Sequence, residues 1–169
     1  MIKEGVLDNP NVERIFAQHV FPDLEVGKVG FCKGQYMASA DEVHINVIGS
    51  GGHAALPETY NNPILASAKL ITSLEKHFLS YRKIPAVFAI GFVTAKGYCN
   101  VIPDQVELRG TFRTIDEDFR SLAHLHMQQI AKDVSTEYDV EIDFRIHKGY
   151  PSLHNDKNLT NQASKDLFF

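Results

Sequence analysis

The sequence predicts an α+β domain of ferredoxin-like βαββαβ topology, a four-stranded antiparallel sheet with two helices on one face. Three observations point there. Apolar and polar residues alternate over 43–48 and 106–113, as half-buried strands require. Two longer stretches, beginning near Asn62 and Thr114, repeat their apolar residues at helical spacing instead. From 41 to 147 the order is strand, helix, strand, strand, helix, strand, which is the split βαβ arrangement. The flanks form no complete unit and read as parts of a larger domain.

Taken in order, residues 1–7 read as a helix terminus closed by Gly5. Residues 14–21 are a short apolar run before Pro22 that suits a buried strand, with His19 near its end. Residues 23–40, punctuated by Gly27, Gly30 and Gly34, read as connecting strands and a linker. Val43, Ile45 and Val47 then form the inner face of a strand whose His44 points to solvent. Asn62-Pro63 supplies a cap and a first-turn proline, and Ile64, Leu65, Ala68, Ile71, Leu74 and Phe78 continue the helix to about Tyr81. His77 falls in its polar stretch and is expected to be solvated, and Pro85 stops any continuation.

Residues 86–93 are almost wholly apolar, which suits a strand covered on both faces or lying at an interface. Residues 97–104 read as a loop. The next strand sets Val106, Leu108, Gly110 and Phe112 against Glu107, Arg109, Thr111 and Arg113. Thr114 and Glu117 fit a capping box. The helix that follows carries Phe119, Leu122, Ala123, Met127, Ile130 and Val134 on one stripe. His124 and His126 resemble a metal pair, but two residues apart on a helix they point about 200° apart and cannot share an ion. A last strand runs over 140–147, then a loop and a helix over about 158–169.

Composition narrows the function classes. The 169 residues can bury roughly 70% of their unfolded surface without a disulfide or metal staple. A net charge of −4 argues against nucleic acid and anionic membrane surfaces as partners. No stretch approaches the ~20 apolar residues of a membrane span, and the first residues lack the apolar core of a signal peptide. Cys32 and Cys99 are unpatterned and read as reduced thiols, so a cytoplasmic location is expected.

The chemistry concentrates in residues 49–57, Gly-Ser-Gly-Gly-His-Ala-Ala-Leu-Pro. Glycines here let the backbone pass where a side chain would block it, and small neighbours leave His53 exposed. A rigid, exposed catalytic histidine and an incidental histidine on a glycine-rich turn both fit these residues. Arg113 at a strand end and Asn100 in a loop add donors suited to an anion or oxyanion. No nucleophile elbow, phosphate loop or dinucleotide fingerprint is present, nor a complete metal-ligand cluster.

Gly51-Gly-His-Ala-Ala-Leu-Pro57, Asn62-Pro63, Asn100-Val-Ile-Pro-Asp104 and Arg109-Gly-Thr-Phe-Arg113 occur in this order, after His19-Val-Phe-Pro22 and Val26-Gly-Lys-Val-Gly30. Together these motifs resemble the zinc-dependent amidohydrolases, among them hippurate hydrolase, N-acyl-amino-acid amidohydrolase, N-acetyldiaminopimelate deacetylase and auxin-conjugate hydrolase. The resemblance implies a catalytic α/β domain binding two divalent ions (zinc, or manganese, cobalt or nickel), interrupted by a ferredoxin-like lid that dimerises. It divides the chain into a catalytic segment (1–37), the lid (38–149) and a return to the catalytic domain (150–169). His19 then matches a metal ligand, His53 a lid histidine supplied to the partner subunit's active site, and Asn100 and Arg113 substrate-binding residues. The family's Cys-x-His and Glu-Glu motifs would precede residue 1, and its last histidine ligand would follow residue 169. The implied activity is hydrolysis of N-acyl amino acids or related small conjugates by a homodimer, with this segment inactive alone. The alternative is a catalytically inert dimerisation module.

Overall fold

A computed structural model describes residues 2–81 and 84–166. Residues 1–31 and 32–169 separate into two compact units.

The first unit opens with a 3-10 turn, Ile2–Glu4, ended by Gly5 at φ +77°. Residues 14–21 hold no regular structure, and Ile15, Phe16, Val20 and Phe21 are exposed. The buried strand expected there is absent from this unit. An apolar run becomes a strand only where a neighbouring strand takes up its amides and carbonyls, and among the described residues of this unit no strand lies beside it.

In chain order the second unit contains β1 (Gly34–Met37), β2 (Asp41–Ile48), β3 (Gly52–His53), α1 (Pro63–Leu79), β4 (Ala86–Ala95), β5 (Val101–Ile102), β6 (Gln105–Thr114), α2 (Glu117–Tyr138), β7 (Glu141–Lys148), β8 (Leu153–Asn155) and α3 (Lys157–Asp166). The main sheet has the order β4-β6-β2-β7, antiparallel throughout. This is the predicted ferredoxin-like arrangement. Two short ladders accompany it, β1 with β8 and β3 with β5. The second of these lies within segments expected to be irregular.

One face of the sheet meets both helices. Val43, Ile45 and Val47 of β2 and Val106, Leu108 and Phe112 of β6 pack there against Leu70, Leu74 and Phe78 of α1 and Ala123 and Met127 of α2. The opposite face is open, and β2 places His44 on it between Arg109 and Arg145.

Asn62 caps α1 as expected, its side-chain oxygen accepting from the amides of Ile64 (2.9 Å) and Leu65 (3.4 Å). The buried face of α1 is turned from the predicted one. Ala66, Leu70, Leu74 and Phe78 face the sheet, while Ile64, Leu65 and Ala68 are exposed. The sequence holds more apolar residues than one face needs, so spacing alone did not identify the buried set. α2 is capped by Asp116, which accepts from Phe119 N at 2.8 Å, and not by Thr114. Thr114 ends β6 instead, its hydroxyl donating to Pro85 O (3.1 Å). Leu122 is exposed, and the buried stripe runs through Phe119, Arg120, Ala123, Met127, Ala131 and Val134.

β4 is an edge strand and is not covered on both faces: Phe88 is buried on the helix side, Val87 and Phe92 are exposed on the open face opposite Arg113 and Arg109, and Val93, opposite Leu108, is exposed as well. α3 spans most of the expected last helix; residues 167–169 of that expectation lie outside the described residues.

Candidate functional site

The 49–57 segment takes its shape from close backbone packing. A Cβ on Gly49 would stand 2.1 Å from Asn61 O, and one on Gly51 would stand 2.5 Å from Ile102 O. Neither glycine has a positive φ, so both are required by crowding and not by a left-handed backbone. Asp104 ties the segment down, its backbone oxygen accepting from Gly49 N (2.8 Å) and its carboxylate from Gly51 N (2.9 Å). Gly52 and His53 then pair with Ile102 and Val101.

This anchoring leaves His53 exposed at the end of a fixed strand. The Ala55 amide donates to its Nδ1 at 3.1 Å. That bond assigns the neutral ring's proton to Nε2, so the outer edge of the ring is a hydrogen-bond donor. The segment expected as a loop contains a tight turn, closed by paired backbone bonds between Tyr98 and Val101 (3.0 and 3.1 Å), which presents Asn100. Asn100 O accepts from Ala54 N at 3.0 Å, placing Asn100 beside His53.

Arg113 lies elsewhere. β5 leads into the Gln105 end of β6, and Arg113 is eight residues further on. At ~3.3 Å per residue the separation along the strand is about 26 Å. Arg113 stands on the open face, where Arg109 donates to Glu107 (Nε–Oε1 2.6 Å) and lies over the Phe92 ring, and Arg145 donates to Asp143 (Nε–Oδ1 3.0 Å). Among the described residues Arg113 has no carboxylate partner, so its guanidinium fork is available to an anion.

His19 belongs to the first unit, is exposed, and has its Nδ1 2.6 Å from Val20 O. Among the described residues no group of three or more His, Cys, Asp or Glu is placed to hold a metal ion. Catalytic zinc needs about three protein ligands, so these residues do not form a metal centre by themselves. Among them, too, no helix is long and apolar enough to cross a membrane.

Comparison with known proteins matches residues 38–150 to the peptidase dimerisation domain family. The chain belongs to that family. N-acetylcysteine deacetylase of Bacillus subtilis is 36% identical over 169 residues, covering 98% of this chain and 43% of that protein. Hippurate hydrolase of Campylobacter jejuni is 31% identical over 174 residues, covering 99% of this chain and 45% of that protein. A solved dinuclear metal-binding peptidase of the M20 family from Bacillus subtilis superposes with a TM-score of 0.72 at 33% identity, over 97% of this chain and 40% of that one. The chain thus spans less than half the length of these relatives. The resemblance read from the motifs, and the fold it implied, hold.

The dimerisation domain also contains two groupings that sequence reasoning missed. Asp41, fully buried, accepts from Arg120 (Nε at 3.0 Å and Nη2), from Gly149 N (3.1 Å) and pairs with His124 Nε2 (2.6 Å). Burial alone would raise the Asp41 pKa, but the bonds from Arg120, His124 and Gly149 hold it below the ordinary aspartate range. Arg120 Nη1 also donates to Glu117 (3.0 Å), and its own pKa is pushed up, chiefly by Asp41. Glu117 is held low mainly by the Ser152 amide, which donates to it at 2.7 Å. A signal existed: Asp41 shares the inward parity of Val43, Ile45 and Val47, where an acid needs a buried partner. The second grouping corrects the expectation for His77. Its Nε2 lies 3.0 Å from His126 Nδ1 at the seam between α1 and α2, with Tyr81 OH 3.4 Å from the same nitrogen. Burial, and then the neighbouring His126, push the His77 pKa down.

Proposed function

We propose that this chain is the dimerising lid, with adjoining catalytic segments, of an amidohydrolase that cleaves N-acyl amino acids or related small conjugates. One observation carries the reading: His53 and Asn100 adjoin each other on the β3–β5 ladder that leads into the Gln105 end of β6, while Arg113 lies about 26 Å along β6 from Gln105. The carboxylate and the scissile amide of an N-acyl amino acid are attached to one Cα, too short a link to span that gap, so one substrate meets all three residues only if two copies contribute. Arg113 of one copy would grip the substrate carboxylate through its fork. His53 of the partner subunit would donate Nε2–H to the oxyanion of the tetrahedral intermediate, with Asn100 beside it. The exposed edge of β4, with Val87, Phe92 and Val93, and the neighbouring Ile64 and Leu65 of α1 suit pairing between copies.

In this reading the lid occupies 38–149 between catalytic segments 1–37 and 150–169. The two divalent ions would be held largely by side chains outside 1–169, with His19 as one ligand, and the enzyme would work in the cytoplasm. The segment alone would be inactive. The test is complementation in the full-length gene product. His53→Ala and Arg113→Ala variants should each lose activity on an N-acyl amino acid while remaining dimeric. Random mixing of the two makes half the dimers mixed, each with one intact site, so roughly a quarter of the activity should return. No recovery on mixing would defeat the shared site. Undiminished activity in both variants would leave the lid as a catalytically inert dimerisation module.

A further inference from the structure

Two crossovers join the main sheet to the remainder of the chain, residues 38–41 leading in and 148–152 leading out. They lie side by side, with Ala40 N donating to Tyr150 O at 3.1 Å. Both are fastened to the first turns of α2 through charge. The inbound one supplies the buried Asp41 carboxylate to Arg120. The outbound one gives Gly149 O to Arg120 Nη2 (3.2 Å), Gly149 N to Asp41 (3.1 Å) and Ser152 N to Glu117 (2.7 Å).

The same end of the sheet carries Arg113, and the inbound crossover holds the backbone around it. Ser39 N donates to Thr114 O (2.7 Å), Thr114 N donates to Ser39 Oγ (3.3 Å), and Thr111 Oγ1 donates to Asp41 O (2.9 Å). Core packing does not require a buried ion pair, since apolar side chains of similar volume often stabilise as well or better. Bidentate charged bonds instead restrict the geometry, because few arrangements satisfy every donor.

We propose that Asp41, Glu117 and Arg120 are positioning residues for Arg113: they lock both crossovers to the sheet end that bears it, so that Arg113 and the two crossovers move as one body. This rests on the reading of Arg113 as the group that grips the substrate carboxylate. The clamp then sets where the guanidinium stands relative to the two crossovers.

Glu117→Ala is the informative variant, since Glu117 is partly exposed and its loss leaves the Asp41–Arg120 pair intact. In the 169-residue chain, hydrogen exchange at the Ser152 amide should rise about tenfold, as expected for a lost bond to a charged acceptor, while Leu108 in the core is unchanged. Glu117→Gln, which keeps an oxygen acceptor, should restore most of the protection. In the full-length protein, Glu117→Ala should raise KM for an N-acetyl amino acid about tenfold and leave the matching carboxamide unaffected. Arg113→Ala serves as the control. If Arg113→Ala discriminates between the two substrates and Glu117→Ala does not, the positioning role is overturned. Unchanged Ser152 exchange also overturns it. If Arg113→Ala itself treats both substrates alike, the assignment of Arg113 fails, and the positioning role falls with it whatever the exchange shows.

Discussion

Asp41→Ala tests the buried cluster most severely. The substitution deletes the carboxylate that accepts from Arg120, His124 and the Gly149 amide, and no solvent reaches the Arg120 guanidinium to replace it. Stranding one partner of a buried pair costs about 3–5 kcal/mol. Glu117 and Gly149 O still accept from Arg120, which places the expectation near 3 kcal/mol, the lower end of that range. A domain of this size has a total stability of about 5–15 kcal/mol, so the variant folds but weakly. With a urea m-value of ~2 kcal/mol/M the midpoint should fall by about 1.5 M. The chain has no tryptophan, so unfolding is best followed by far-ultraviolet circular dichroism. The double variant Asp41→Leu with Arg120→Met removes both charges and should recover most of the loss. A midpoint shift below about 0.5 M for Asp41→Ala, or no recovery in the double variant, would refute the argument that a stranded guanidinium is the cost. The pH dependence has a fixed sign. Asp41 and Glu117 titrate below their ordinary range. Their contribution is therefore present above the unfolded carboxyl range and is lost as pH falls through the folded values, and Asp41→Ala should flatten that acid limb.

Two further outcomes follow from local geometry. Gly51→Ala puts a Cβ 2.5 Å from Ile102 O and 2.9 Å from the Asp104 carboxylate, so it should cost about 1–3 kcal/mol in urea unfolding and speed amide exchange at Ala54, which bonds to Asn100 O; wild-type exchange there would contradict the crowding account. His77 has a depressed pKa, so the unfolded chain binds more protons and stability should fall as pH drops from about 6.5; His77→Leu should remove part of that fall in thermal melts between pH 7 and 5, and an identical slope would count against the His77–His126 contact as its source.

The sequence alone determined the order and type of the elements in the main sheet and its two covering helices. Val43, Ile45 and Val47 alternate, Val106, Leu108 and Phe112 alternate, and Asn62-Pro63 announces α1, because each signal is local and reports directly on backbone period or on a cap. His53, Asn100 and Arg113 were legible as exposed donors for the same reason. Tertiary structure decided whatever depends on a distant partner. Residues 14–21 have the composition of a strand, yet among the described residues of their unit no strand lies beside them. Gly49 and Gly51 are required by Asn61 and Ile102, which belong to other segments. The cap at Asp116, two residues past Thr114, was decided by where β6 runs out and Thr114 turns to Pro85. The joining of His53 to Asn100, the distance that separates both from Arg113, and the clamp of Asp41 on Arg120 across 79 positions of sequence all arise from chain crossings. Local period can show that a residue such as Asp41 needs a buried partner, but not which residue supplies it, because that depends on how segments far apart in sequence cross in the fold.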